Sequence, residues 1–221
     1  MPNPFKLLVF DWDGTLMDSQ ARIIRSFVLG IQETGLESRT PTEIRYIIGL
    51  GLDEAVAELF PHSPLEVRTQ LVARYRYHYI HSPVSLSLFP GVEETLRQLA
   101  ADGYWLAVAT GKSRRGLDLA MTESGLTGLF HSSRCADEAN SKPHPQMLEE
   151  IMQELAITPA ETLMIGDTEY DIQMAHNAKV AAVAVAYGTQ DKPHLLAQHP
   201  LVCLDSLPEL LPWLHNYSET S

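Results

Sequence analysis

Five short apolar runs punctuate the chain: Leu7–Phe10 (LLVF), Trp105–Ala109 (WLAVA), Leu163–Ile165 (LMI), Val180–Ala186 (VAAVAVA) and Leu201–Leu204 (LVCL). Runs this short and this continuous are what strands buried on both faces look like. Between them lie segments with helical spacing, such as Val92–Ala101 and Met147–Leu155. Pro90-Gly91 announces the first of these, and Thr158-Pro159 follows the second. Strand and helix in alternation predict an α/β protein, with a doubly wound parallel sheet covered by helices in a Rossmann-like core.

From about Ser19 to Ser87 the rhythm breaks. Only helical patterns occur there. Gln20–Glu33 places Ile23, Ile24, Phe27, Val28 and Ile31 on one face, and Asp53–Phe60 and Leu65–Ile80 follow. Turn signals at Gly49–Gly51 and Pro61–Pro64 separate them. This predicts a small all-helical cap inserted after the first strand and joined near Leu16–Asp18 and Pro83–Phe89. The expected division is residues 1–16 and 88–221 for the core and 17–87 for the cap. Tyr75 and Tyr79 are expected on the inward face of the last cap helix. Asp18 and Ser19 are expected as caps of the first helix, and the tail after Trp213 as frayed.

Composition narrows the class. With 221 residues, 45% of them hydrophobic, the chain can bury a sizeable core. A net charge of −12 and a pI near 5.1 argue against a nucleic-acid or anionic-membrane surface, which would need a basic patch. Cys135 and Cys203 suggest neither a disulfide framework nor a metal site, which fits a reducing cytosol. Lys6 with Leu7–Phe10 is too short for a signal peptide, and no apolar stretch is long enough to span a bilayer. The expectation is a soluble cytoplasmic protein.

Candidate chemistry sits where the runs end. Alternate residues of an extended chain face one side, so Asp11 and Asp13 share a site while Trp12 points away. Two carboxylates that close repel unless a cation or a proton lies between them. The second run ends in Thr110-Gly111-Lys112, the third in Gly166-Asp167 and the fourth in Tyr187-Gly188-Thr189. In doubly wound sheets, ligands bind beyond these carboxyl ends. Asp171 would share a helix face with Asp167 if a helix starts there, and Lys142, in SKPHP, precedes a proline and is expected in an extended or turn conformation. Singly, each has an ordinary reading: a solvated turn for Asp11 and Asp13, a helix cap for Thr110, a surface lysine for Lys142. Together they form an oxygen-rich site suited to a hard cation, with Mg²⁺ the usual choice beside phosphate. Thr110 and the Gly111 amide could donate to phosphate oxygens, and Lys142 would add positive charge. An EF-hand reading of DWDGTLMDSQAR fails because Leu16 stands where glycine is needed.

In this order, Asp11-Trp12-Asp13-Gly14-Thr15, Thr110, Lys142 and Gly166-Asp167-Thr168-Glu169-Tyr170-Asp171 resemble the four motifs of the haloacid dehalogenase-like hydrolase superfamily, nearly end to end. Gly91-Val92, SKPHPQ and AVAYGT are similar to its phosphoglycolate phosphatase-like branch. The resemblance implies Asp11 as nucleophile and Asp13 as the proton donor to the leaving oxygen and later the base for water. It implies Mg²⁺ held by Asp11, the Asp13 carbonyl and Asp167, with Asp171 direct or through water. Thr110 and Lys142 would hold the transferring phosphoryl group. Thr15, Gly111 and the loop residues Gly49, Leu50 and Gly51 are expected to bind substrate, with any cap cation coming from Arg45, Arg74 or Arg76.

The implied activity is an Mg²⁺-dependent phosphatase acting on a small phosphorylated metabolite, phosphoglycolate-like. A monomer is expected, with a dimer as the alternative. Dehalogenase-like members lack an acid at the position of Asp13. Phosphonatase-like members also add a cap lysine, and no lysine occurs between Lys6 and Lys112. A sugar phosphomutase or pyrophosphatase on the same scaffold stays open. A receiver-type phospho-switch would be shorter, would lack the helical insertion and would carry its aspartate elsewhere.

Overall fold

A computed structural model describes residues 3–217. In chain order the strands are β1 (Leu7–Phe10), β2 (Met17–Asp18), β3 (Ser87–Leu88), β4 (Trp105–Thr110), β5 (Ser132–Cys135), β6 (Thr162–Gly166), β7 (Ala181–Val185) and β8 (Val202–Leu204). The helices are α1 (Gln20–Thr34), α2 (Pro41–Tyr46), α3 (Leu52–Leu59), α4 (Leu65–Ile80), α5 (Val92–Ala101), α6 (Arg114–Glu123), α7 (Gln146–Leu155), α8 (Glu169–Asn177), α9 (Lys192–Leu196) and α10 (Leu210–Asn216). Residues 218–221 of the tail expected to fray lie outside the described residues.

Six strands form one parallel sheet in the order β5-β4-β1-β6-β7-β8. β1 lies inside it, with Leu7–Phe10 registered against Trp105–Val108 on one side and Thr162–Ile165 on the other. Its side chains alternate between two apolar layers. Leu8 and Phe10 join Leu96, Leu99 and Leu117 from α5 and α6, while Leu7 and Val9 join Leu148, Ile151 and Ile172 from α7 and α8. A strand covered on both faces must be apolar at every position, which is why these runs do not alternate.

β5 was not expected. Its sequence, SSRC, carries no apolar run because it is the edge of the sheet, and Arg134 there reaches Glu150 at 2.7 Å and Glu154 at 2.9 Å on α7. α2 was also not expected, although Thr40 and Glu43 form a reciprocal capping box with Pro41 at its first turn.

The helices α1 to α4 enclose a separate apolar cluster built from Ile23, Phe27, Ile31, Ile44, Val56 and Leu71, among others. Tyr75 sits against Phe27 with ring centroids 4.4 Å apart, and Tyr79 stacks on Tyr75 at 5.7 Å. The chain enters and leaves this segment through β2 and β3, which pair antiparallel, Met17 with Leu88 and Asp18 with Ser87. The expected cap roles need correction here. Asp18 is an exposed residue of β2, and Ser19 occupies the N-cap position of α1 but makes no capping hydrogen bond. Its hydroxyl is committed to Asp13 instead, at 2.6 Å.

Candidate active site

The neighbouring strands β4, β1 and β6 end in Thr110, Asp11 and Gly166-Asp167, which gathers these residues at one edge of the sheet. Asp11 is buried and its backbone amide donates to the Ile165 carbonyl at 2.9 Å, fixing the turn off β1. Trp12 points into the core, edge-on to Phe130. Gly14 follows with φ of 91°, where a Cβ would run into the Asp167 carboxylate, so only glycine lets the turn close onto β6.

Lys142 lies at the centre of the acidic group. Its ammonium is fully buried and sits 2.6 Å from Asp11 Oδ1 and 2.6 Å from Asp171 Oδ1. Asp171 is fixed by α8: its Oδ2 accepts from the Thr168 amide at 3.0 Å and the Thr168 hydroxyl at 2.7 Å, a capping box with a carboxylate at the helix start. Asp167 lies just ahead of that helix and is held by the Thr15 hydroxyl at 2.8 Å and the Thr189 amide at 2.7 Å. One carboxylate oxygen from each of Asp11, Asp167 and Asp171 lies within 4.8 Å of the others. Asp11 Oδ2, buried, has no hydrogen-bond partner.

Crowding these carboxylates around one ammonium shifts the protonation of Asp11 and Asp167. Burial pushes the Asp11 carboxyl well above the usual range; Lys142 opposes this, and Asp171 and Asp167 add to it. Burial, then Asp171, raises Asp167 to about 6. For Lys142 burial disfavours the charge, but Asp11 and Asp171 outweigh it and the ammonium is held.

Asp13 faces different partners. Besides Ser19, it is paired with Lys112, whose Nζ lies 3.0 Å from Oδ1 and 2.9 Å from Oδ2. The same ammonium is 3.0 Å from the Tyr79 hydroxyl on α4. Thr110 is buried, and its hydroxyl accepts from the Lys112 amide at 3.2 Å. Above it, Gly111 lies directly under the loop ahead of α3, where a Cβ would collide with the carbonyls of Leu50 and Gly49.

A cavity of about 720 Å³ opens between the helical segment and the sheet edge, lined by Asp11, Asp13, Thr110, Gly111, Gly49 and Leu50 of the anticipated residues. Thr15 and Gly51 do not line it. Thr15 is spent on Asp167, and the Gly51 amide donates to Ser141 Oγ at 2.8 Å, docking the loop on the core. Of the arginines considered for a cap cation, Arg76 lines the cavity and Arg45 and Arg74 do not; Arg22, Arg115 and Lys112 line it instead. A second cavity of about 490 Å³, between Tyr46 and Tyr170, contains none of the candidate catalytic groups.

Lys112 is the residue that reading the sequence missed. It was visible in Thr110-Gly111-Lys112, but a lysine past a strand end reads as solvated until Asp13 and Tyr79 are seen beside it. Thr168 and Thr189 were equally visible and equally ordinary.

The doubly wound α/β sheet thus carries a buried carboxylate cluster and a lysine at its carboxyl edge, where open sheets of this kind bind their ligands. The sequence profile of the haloacid dehalogenase-like hydrolases matches residues 8–185. A probable phosphatase, IndB, of Dickeya dadantii is 33% identical over 215 residues, covering 95% of this chain and 93% of that protein. Pyrophosphatase PpaX of Bacillus cereus is 27% identical over 214 residues, covering 96% and 98%. The crystal structure of a predicted phosphoglycolate phosphatase from Haemophilus somnus superposes with a TM-score of 0.86 at 26% identity, covering 95% of this chain and 97% of that one. The chain belongs to the haloacid dehalogenase-like hydrolase family. Among the described residues no helix is long and apolar enough to cross a membrane.

Proposed function

We propose that this hydrolase is an Mg²⁺-dependent phosphatase that cleaves a small phosphate monoester through a phosphorylated Asp11. The observation that carries the reading is Asp11 itself: one oxygen is held by Lys142 at 2.6 Å and the other, buried, is without a partner. That unpartnered oxygen would attack phosphorus. Asp13 would give a proton to the departing ester oxygen as the P–O bond breaks, then take one from the water that attacks the acyl phosphate. That second attack breaks the bond to Asp11 and returns its carboxylate. Lys142 and Thr110 would hold the transferring phosphoryl group, where charge stabilisation matters most.

The carboxylates fit a hard divalent cation, since Asp11, Asp167 and Asp171 bring one oxygen each within 4.8 Å of the others. Asp11, Asp167 and the Asp13 carbonyl would hold Mg²⁺, with Asp171 direct or through water. The ion would supply charge that keeps Asp11 ionised, against the burial that otherwise favours its protonated and non-nucleophilic form.

The apolar lining of the cavity, including Leu50, Leu52, Leu86 and Leu119, supports an organic leaving group over a second phosphate. A monoester with a small organic leaving group therefore ranks ahead of pyrophosphate. We take the helical segment, residues 17–87, as the cap that encloses the leaving group, with the substrate a small phosphorylated metabolite of the cytoplasm. Phosphate release over a panel of esters and pyrophosphate, with Mg²⁺ and with excess chelator, tests the reading. Activity confined to Mg²⁺, favouring esters and abolished by Asp11→Asn, is expected. Full turnover in chelator, or by Asp11→Asn, would refute it.

A further inference from the structure

The residue given the proton-transfer role is not left to solvent. Asp13 and Lys112 have side chains only 13% and 10% exposed. The Lys112 ammonium directs its hydrogens to Asp13 Oδ1, Asp13 Oδ2 and the Tyr79 hydroxyl, at 3.0, 2.9 and 3.0 Å, and has none left for a further acceptor. It also lies 4.9 Å from the centroid of the Tyr79 ring. The three residues come from three places: the turn after β1, the loop after β4, and the last turn of α4 in the helical segment. The segment also meets the core through Gly51 N to Ser141 Oγ at 2.8 Å, through the Tyr170 hydroxyl to the Tyr46 carbonyl at 3.0 Å, and through the Ser19 hydroxyl, 2.6 Å from Asp13 Oδ1. The first two do not involve Asp13, so the segment has docking contacts that do not depend on the Tyr79 bond.

We propose that Lys112 and Tyr79 are positioning residues that aim the Asp13 carboxylate, so that its proton transfer depends on the helical segment being docked. This inference rests on the phosphatase reading above. A proton-transfer group works only within hydrogen-bond reach of the reacting oxygen, and a long, flexible lysine holds a carboxylate in one place only when its own far end is fixed. Tyr79 supplies that fixed end. When α4 withdraws, Lys112 loses a partner and water reaches the pair, leaving Asp13 with the Ser19 hydroxyl at 2.6 Å and a lysine no longer fixed at its far end. Chemistry and enclosure of the substrate are thereby linked through one ammonium group.

The test is a set of mutant cycles on steady-state turnover of a preferred ester with Mg²⁺. Lys112→Met is expected to lower kcat by about tenfold or more while KM moves by less than about threefold, and Lys112→Arg to recover most of that loss. Tyr79→Phe, which removes one hydroxyl, is expected to lower kcat by about threefold and to do nothing further in a Lys112→Met background. Lys112→Met is likewise expected to add no loss to Asp13→Asn. Losses that multiply between Lys112→Met and Asp13→Asn, a change confined to KM, or a silent Tyr79→Phe would overturn the inference while leaving the phosphatase reading intact. Full activity of Asp13→Asn would instead overturn that reading, and this inference with it. If Lys112→Met does not fold, Lys112→Arg and Tyr79→Phe decide the matter alone.

Discussion

Replacing Lys142 with methionine keeps most of the side-chain volume and removes only the charge. In the native chain that ammonium is fully buried and serves two carboxylates at 2.6 Å, Asp11 and Asp171, themselves 1% and 0% exposed. Removing one partner of a buried ion pair costs about 3–5 kcal/mol, because the remaining charge stays out of water without compensation. For a chain of this size each kcal/mol corresponds to about 2–4 °C, so Lys142→Met should melt about 6–20 °C below the parent in chelator at neutral pH. Mg²⁺ should narrow the gap, since a divalent cation supplies the missing charge to the same carboxylates. Acid should narrow it too, because burial already favours a proton on Asp11. Calorimetry or thermal circular dichroism in both media measures this directly. A drop of less than about 2 °C in chelator, or one that neither Mg²⁺ nor acid reduces, would refute the view that Lys142 compensates this cluster.

Asp167 gives a pH dependence. Its folded-state pKa is raised to about 6 by burial and then by Asp171, so between an ordinary carboxylate value near ~4 and that value the folded protein binds more protons than the unfolded one. Metal-free protein should therefore lose stability as pH rises through this window, and Mg²⁺ should flatten the slope; urea midpoints across the range would show it. Gly111→Ala should push the Leu50 and Gly49 carbonyls off the strand end and lower turnover of esters, while the melting temperature falls by no more than a few degrees. Gly51→Leu meets Glu54, Ala136 and Ser141, so it should change the ranking of ester substrates more than Asp11 phosphorylation by a minimal donor such as acetyl phosphate. An unchanged ranking would place leaving-group selection outside this loop.

What could be read in the sequence was whatever one side chain settles locally. Strands buried on both faces declared themselves through unbroken apolar runs, and Asp11, Thr110 and Asp167 through being the polar residues that end three of them. β5 was illegible because an edge strand held by Arg134 pairs needs no apolar signature. The arrangement around Asp13 was illegible for another reason. Lys112 and Tyr79 are 33 residues apart in the chain, and only the folding of α4 back over the sheet edge puts them in contact. Thr15 was legible as a motif residue but not in its direction. Its hydroxyl turns to Asp167 because Gly14 bends the chain that way.

The pairing of β2 with β3 makes the helical segment a module with a single socket. Met17 and Leu88 lie side by side, so the chain departs from the core and returns to it at one point. Insertions whose ends meet are tolerated because no strand of the host need shift to admit them. Exchange of everything between Asp18 and Ser87 for another unit of matching ends would leave β1, Lys142 and the carboxylates as they are. On the reading proposed above, the phosphoryl chemistry and the choice of leaving group can then change on separate schedules over evolutionary time. The exceptions are Ser19 and Tyr79, whose hydroxyls meet Asp13 and Lys112 and which any replacement unit would have to supply anew.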